Sequence, residues 1–123
     1  MTNWSSQELE KLGAADEVKI APRRSDGSLR SWVPIWIVSV DDALYIRSYH
    51  GKEGSWYRSA SKNREGRVAV EGLEKEVLFE DIDPTLNARI DQAFRTKYSH
   101  LPTYVGPMLS DKAREATLRV VSK

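Results

Sequence analysis

The chain has 123 residues, a formal net charge of +1 and a sequence pI near 8.0. Hydrophobic residues make up 40% of it and charged residues 30%, which is typical of a soluble globular protein and excludes long disorder or a fibrous repeat. Its length predicts a single domain over residues 1–123. Because cysteine is absent, disulfides, thiolate nucleophiles and cysteine-ligated metal centres are excluded.

Membrane insertion and secretion are not expected from the sequence. No apolar run approaches the ~18 residues that a membrane span needs, and the first residues do not resemble a signal peptide. We therefore expect a cytoplasmic protein that does not engage a membrane.

The first third of the chain predicts one helix and two strands. Ser5 or Ser6 can cap a helix, and Glu8 follows Ser5 at the spacing of a capping box. Asp26-Gly27 is a strong turn signal between two β-rich segments. The patterns predict a helix over residues 5–13, a strand over 17–21 and a second strand from about residue 29 to 40.

The second predicted strand is apolar on both faces, so both faces must be covered. One face is covered by the core, and the other by a helix, a ligand or a partner molecule. Pro34 cannot donate to a strand ladder, which predicts an edge position or a bulge near the start of this strand. The alternation assigns Val33, Ile35 and Ile37 to one face and Trp36, Val38 and Val40 to the other.

The rest of the chain predicts four more strands with intervening helices. Asp83-Pro84 is a typical helix start, with a capping residue followed by proline. The tail is compatible with a helix capped by Ser110, but its last residues are β-rich. We predict strands over 44–49, 67–71, 76–82 and 116–121, a short helix over 55–60 capped by Ser55, a helix over about 84–98 and an irregular link over 102–107.

These elements indicate an α+β protein built on a small antiparallel six-stranded barrel with flanking helices. Strands joined by such short connections cannot be parallel neighbours, because a parallel crossover needs about a dozen residues.

Several kinds of functional site are not supported by the sequence. His50 and His100 lack neighbours at ligand spacing, so we predict no metal site, and the sequence has no P-loop, GxGxxG or GxSxG motif. Residues 19–67 carry ten Lys and Arg against five Asp and Glu, whereas residues 68–91 carry two against seven. Because the acidic segment would repel a phosphate backbone, we expect no nucleic-acid partner.

A cluster of arginines, hydroxyls and aromatic residues remains around the central strands. Guanidinium groups and N–H groups at a helix start are suited to holding a phosphate. Trp36 and the backbone from Ile35 to Ile37 can face a planar ring. The phosphate candidates and flanking residues are Arg23, Arg24, Ser25, Ser28, Arg30, Arg47, Ser48, Tyr49, Ser55, Trp56 and Arg58.

Four segments, in this order, resemble the FMN-binding split-barrel superfamily. They are similar in particular to deazaflavin-dependent nitroreductase-like proteins and to a related bacterial family of unknown function. The segments are Arg24-Ser25-Asp26-Gly27-Ser28-Leu29-Arg30, Pro34-Ile35-Trp36, Leu44-Tyr45-Ile46-Arg47-Ser48 and Gly54-Ser55-Trp56-Tyr57-Arg58.

This resemblance implies a split barrel that binds FMN or a deazaflavin, as a homodimer with its cofactors at the interface. A dimer of this kind would also explain the doubly apolar strand. The implied cofactor-binding residues are Arg24, Ser25, Arg30, Ile35, Trp36, Ile37, Arg47, Ser48, Tyr49, Ser55, Trp56 and Arg58.

The sequence departs from the family pattern at two places. Arg58-Ser59-Ala60 stands where the reductases have Asn-Leu, and Asp26 places an acid in the basic turn. Two functions therefore stay open. The first is a reductase of a small oxidised organic molecule, and the second is a cofactor-free dimeric module that binds another small ligand.

Overall fold

The computed structural model describes residues 4–123, which form an α+β protein with five α-helices around one seven-stranded sheet. Residues 1–3, on which the signal-peptide interpretation partly depends, lie outside the described residues. The helices are α1 Ser6–Ala14, α2 Ser55–Asn63, α3 Asn87–Lys97, α4 Pro102–Met108 and α5 Asp111–Arg114. The strands are β1 Val18–Pro22, β2 Val33–Ile35, β3 Val38–Val40, β4 Ala43–Arg47, β5 Glu65–Val70, β6 Leu73–Asp81 and β7 Thr117–Ser122.

The sheet is antiparallel throughout and curls into a half-barrel with strand order β2-β1-β5-β6-β7-β4-β3. Its two outermost strands, β2 and β3, are consecutive in the chain and are joined only by Trp36 and Ile37. We call these two residues the seam. Because the seam links the two ends of the sheet, the chain itself holds the curl closed at this point.

The predicted count of six strands is wrong, because the predicted strand over 29–40 is two strands. Its first half pairs with β1 and its second half pairs with β4, on the opposite edge of the sheet. One continuous strand cannot pair with both edges, so the ladder breaks at the seam. The edge position predicted from Pro34 is confirmed, since β2 ends the sheet.

Helix α3 covers the outer face of the sheet beside the seam. Ile37 and Leu44 point into the main core inside the curl, whereas Val38 and Tyr45 join a second apolar cluster with Ile90, Phe94 and Tyr98 of α3. The second face of the doubly apolar segment is therefore buried by a helix of the same chain. Its apolarity needs no partner molecule to explain it.

The backbone of the seam is hydrogen-bonded to the end of α3. The Ile37 N–H donates to Tyr98 Oη at 3.2 Å, and Lys97 Nζ donates to the Ile37 carbonyl at 2.7 Å. Tyr98 Oη in turn donates to the Asp16 carbonyl at 2.8 Å. Buried backbone groups must be paired somewhere, and here side chains replace the missing strand ladder.

Replacing Tyr98 with phenylalanine should lower the free energy of unfolding by about 1–3 kcal/mol, the cost of leaving a buried donor unpaired. The change keeps the ring that stacks on Trp36 at 3.9 Å between centroids, so the loss reports the hydroxyl alone. Urea denaturation measures it. Tyr104→Phe is the matched control, because the Tyr104 side chain is 59% exposed. Equal stability of the two variants would contradict the role of the Tyr98 hydroxyl at the seam.

The helices differ from the predictions mainly at their ends. Of the two predicted caps, Ser5 is the one that caps α1, in a full capping box with Glu8. The predicted helix over 84–98 begins as a 3-10 turn over 84–86, capped by Asp83, and becomes α-helical only from Asn87. The cap of α2 is Gly54, and Ser55 is instead its first helical residue.

The C-terminal region is more helical than the sequence predicts. The predicted irregular link over 102–107 is α4, and both alternatives for the tail occur in succession. Ser110 caps the short helix α5, and β7 follows directly between β6 and β4. Among residues 4–123 no helix is long and apolar enough to cross a bilayer.

Candidate cofactor site

A cationic cleft lies between the β1–β2 turn and one face of α2. It has a volume of about 290 Å³. Asn63 at the end of α2 ties the two sides together, because its side-chain amide donates to the Arg23 carbonyl at 3.0 Å. The residues that line the cleft are Arg24, Ser25, Arg30, Ser55, Arg58, Ser59, Lys62 and Asn63.

The lining of the cleft contains four cations and no carboxylate. Arg24 donates to the Leu29 carbonyl at 2.7 Å, and Arg30 donates to Ser59 Oγ at 3.3 Å. Arg58 and Lys62 are exposed, and within residues 4–123 neither side chain has a hydrogen-bond or ion-pair partner. Four cations close together with little compensation favour an anionic ligand.

Asp26, the acid in the basic turn, does not line the cleft. Its carboxylate accepts from the Ser28 backbone N–H at 2.9 Å and from Ser28 Oγ at 2.6 Å. These hydrogen bonds lower the pKa of Asp26, so the acid stays ionised while it shapes the turn. The departure from the family pattern therefore leaves the cationic lining intact.

An aromatic groove of about 500 Å³ lies on the other side of the start of α2. Most of its exposed lining is apolar, which is typical of small-molecule pockets of this size. Five of the predicted site residues line it: Ile35, Trp36, Arg47, Tyr49 and Trp56.

Trp36 gives the groove a fixed aromatic wall. Its ring stacks on Tyr98 with an interplanar angle of 4°, so one face is covered by the protein. The side chain is half-buried and its remaining surface borders the groove. Tyr49 and His50 stand at the mouth in an edge-to-face contact, with their ring centroids 5.2 Å apart. A planar ring would meet stacking surfaces here.

The cationic cleft and the aromatic groove border the same turn of helix. Ser55 lines the cleft and Trp56 lines the groove, and these are the first two residues of α2. Gly54, just before them, lets the start of α2 pack against Ser48, because a Cβ at position 54 would lie only 2.4 Å from Ser48 Oγ. One ligand with an anionic end and a flat ring could therefore use both.

Arg47 is a structural residue in this arrangement, because protein groups engage all of its guanidinium nitrogens. Nε donates to Thr117 Oγ1 at 2.8 Å, and Nη1 donates to the Met108 carbonyl at 3.0 Å. Nη1 also lies 2.5 Å from Asp91 Oδ1. Nη2 donates to Asn87 Oδ1 at 2.9 Å. Nη2 also donates to the Asn87 carbonyl at 3.4 Å, so the protein engages every guanidinium nitrogen and no donor is left for an external phosphate.

The Arg47–Asp91 ion pair is buried below the groove. Both side chains are at most 3% exposed, and the guanidinium also lies 5.3 Å from the centroid of the Phe94 ring. Burial lowers the pKa of Arg47, while the neighbouring Asp91 carboxylate opposes that shift. Arg114 binds the other oxygen of Asp91 at 2.5 Å and completes a triad.

Two further predicted residues lie away from both spaces. Ile37 is fully buried and its side chain points into the core. Ser48 is 1% exposed and its hydroxyl has no hydrogen-bond partner among the described residues. The cleft thus brings together Arg24, Ser25, Arg30, Ser55 and Arg58, whereas Ile37, Arg47 and Ser48 serve the core or the groove floor.

Sequence reasoning missed lining residues on α2 and α4. Ser59 and Lys62 follow Ser55 and Arg58 by four residues, so a helical periodicity over residues 55–63 would have found them. Tyr104 and Met108 line the groove from α4 at the same spacing. They were missed because residues 102–107 were predicted to be irregular.

Comparison with known proteins places the chain in a family. The profile of the bacterial family described as "Uncharacterized protein conserved in bacteria (DUF2255)" matches residues 8–120. The chain belongs to this family. Among proteins with curated descriptions, none is significantly similar in sequence to this DUF2255 chain.

Solved structures share the fold of this DUF2255 chain at low sequence identity. A conserved hypothetical protein of Mycobacterium tuberculosis has a TM-score of 0.64 at 11% identity, covering 98% of this chain and 81% of that one. An FAD-binding protein of Mesorhizobium loti has a TM-score of 0.60 at 18% identity, covering 98% of this chain and 89% of that one. An F420 reductase has a TM-score of 0.53 at 18% identity, covering 93% of this chain and 90% of that one.

These findings confirm the resemblance predicted from the sequence, both to split-barrel proteins and to an uncharacterised bacterial family. At these identities, 11–18%, the structural likeness establishes the fold.

Proposed function

We propose that this chain binds a phosphate-bearing flavin-type cofactor, FMN or a deazaflavin, and reduces a small oxidised organic molecule. The phosphate would be held by Arg24, Arg30 and Arg58, with help from the hydroxyls of Ser25 and Ser55. The ring would lie in the aromatic groove. Two of the similar folds are described as an FAD-binding protein and an F420 reductase, which supports this ligand class.

The observation that carries the proposal is the adjacency of the two spaces at the start of α2. The cationic cleft offers four cations without a carboxylate, and the groove offers Trp36 and Trp56 beside apolar side chains. A ligand with only an anion or only a ring would use one of them. A flavin phosphate carries both on one short chain.

A bound flavin would supply hydride transfer, which needs no acid–base triad or metal from the protein. The chain's own residues would bind the phosphate, orient the ring against Trp36 and exclude water from the groove. Within residues 4–123 no cluster of three or more metal-ligating side chains occurs. Tyr49 and His50 stand at the groove mouth, where either can give a proton to a reduced substrate.

The proposal includes a homodimer whose second copy covers the groove. Tyr49 and Tyr104 line the groove, yet they are 51% and 59% exposed. Trp32, next in the chain to the groove residue Val33, is 39% exposed. Exposed aromatic side chains gathered around one opening are characteristic of an interaction surface.

Titration of the purified protein with FMN, a deazaflavin and riboflavin tests the function. Because riboflavin has the ring but lacks the phosphate, it isolates the cleft. We expect FMN or the deazaflavin to bind at micromolar concentration and riboflavin at least ~10-fold more weakly, the scale of one charge-assisted hydrogen bond. Sedimentation should give twice the 14.0 kDa mass of the chain.

Two outcomes would count against the proposal. No binding of either phosphorylated ligand at high micromolar concentration would favour the cofactor-free module. Equal affinity for FMN and riboflavin would contradict phosphate binding in the cationic cleft.

A further inference from the structure

A second cleft, of about 550 Å³, lies between β3 and α3 on the outer face of the sheet. We call it the α3 cleft. Val38, Val40 and Ala93 give it an apolar floor, while Gln92 and Thr96 line its rim. Lys97 stands at one end. The flavin-type function proposed above makes no use of this space.

Lys97 differs in its environment from the other lysines of the chain. It is half-buried, its ammonium donates to the Ile37 carbonyl at 2.7 Å, and it lies 5.3 Å from the centroid of the Tyr98 ring. No carboxylate of residues 4–123 lies within 4.0 Å of it as an ion-pair partner. Lys75 and Lys123 each have a Glu partner, and the remaining lysines are exposed.

The charges around Lys97 do not compensate for its burial. Asp16 is the acid that acts on it, and it only partly opposes the loss of solvation. At the other end of the cleft Asp41 is paired with Arg89, so neither contributes a free charge. Burial consequently lowers the pKa of Lys97 to about 8, which leaves a substantial fraction of neutral amine near neutral pH.

We propose that Lys97 is a reactive amine that forms an imine with an apolar aldehyde or ketone held in the α3 cleft. The amine nitrogen attacks the carbonyl carbon and forms the C–N bond. The two amine protons pass to the carbonyl oxygen, which leaves as water as the C=N bond forms, so the step is neither oxidation nor reduction. The alkyl part of the ligand packs on Val38, Val40 and Ala93.

Reductive alkylation with a series of aldehydes tests the proposal. The whole protein is treated at pH 7.5 with limiting acetaldehyde, butanal or hexanal and cyanoborohydride, which supplies the hydride that traps the imine. Peptide mapping then compares labelling at Lys97 with labelling at Lys62. We expect Lys97 to carry at least ~10-fold more label, because one pKa unit changes the free-amine fraction about tenfold.

The α3 cleft predicts a dependence on chain length that a merely exposed amine would not show. The ratio of Lys97 to Lys62 labelling should rise from acetaldehyde to hexanal, because each added methylene is buried on the apolar floor. The pH profile of Lys97 labelling should level off above about pH 8.

Two variants serve as controls. Lys97→Arg keeps the cation and a donor for the Ile37 carbonyl but removes the amine, so the dominant adduct should disappear. Lys62→Arg should leave the Lys97 adduct unchanged. Equal labelling of Lys97 and Lys62 would overturn the reactive amine. A ratio independent of aldehyde length would overturn the cleft as its binding site.

Discussion

Replacing Arg47 with alanine should lower the free energy of unfolding by about 3–5 kcal/mol, the usual cost of removing one partner from a buried ion pair. The Asp91 carboxylate would stay buried at 2% exposure with only Arg114 to compensate it. The Met108 carbonyl and the Asn87 side chain would also lose their donor. Urea denaturation with a constant slope measures the loss.

Arg89→Ala is the matched control for this change. Arg89 also pairs with an aspartate, Asp41, but both side chains are more than half exposed. Solvent screens such a pair, so the variant should be almost as stable as the parent protein. A loss for Arg47→Ala no larger than that for Arg89→Ala would contradict the structural role of Arg47. If Arg47→Ala instead weakened FMN binding without loss of stability, Arg47 would bind the phosphate, as the sequence predicted.

Replacing Arg58 with alanine should weaken FMN binding by about 10–100-fold, because a charge-assisted hydrogen bond to phosphate contributes about 1.5–3 kcal/mol. The Arg58 side chain is exposed and makes no hydrogen bond or ion pair within residues 4–123, so its removal should leave stability unchanged. Riboflavin affinity should not change, since that ligand has no group for the cleft. Fluorescence titration of both ligands measures the difference.

Arg95→Ala controls for the loss of one positive charge. Arg95 is an exposed arginine in the last turn of α3 and does not line the cleft. Removing the Arg95 charge should lower FMN affinity no more than adding salt lowers it. The reason is that salt screens the long-range attraction between exposed charges. If Arg58→Ala and Arg95→Ala had the same effect, the cleft would act through general charge and would not be a phosphate site.

The sequence determined the local elements and part of the candidate site. The Ser5–Glu8 capping box and the Asp83-Pro84 start depend on residues within a few positions of one another, so pattern alone locates them. Arg24, Arg30 and Arg58 could be nominated for the same reason, as cations beside a turn and a helix start. Their convergence in one cleft then follows from the packing of α2 against β1.

Tertiary structure decided the features that depend on distant partners. The segment over 29–40 has the pattern of one strand, but the curl of the sheet gives its halves different neighbours, β1 and β4. The sequence around Arg47 is typical of an exposed arginine. In the fold, however, Arg47 forms a buried ion pair with Asp91, 44 positions away. Periodicity reports which side of a strand is apolar. It cannot report which distant side chain will meet a charge, because that pairing exists only once the chain has folded.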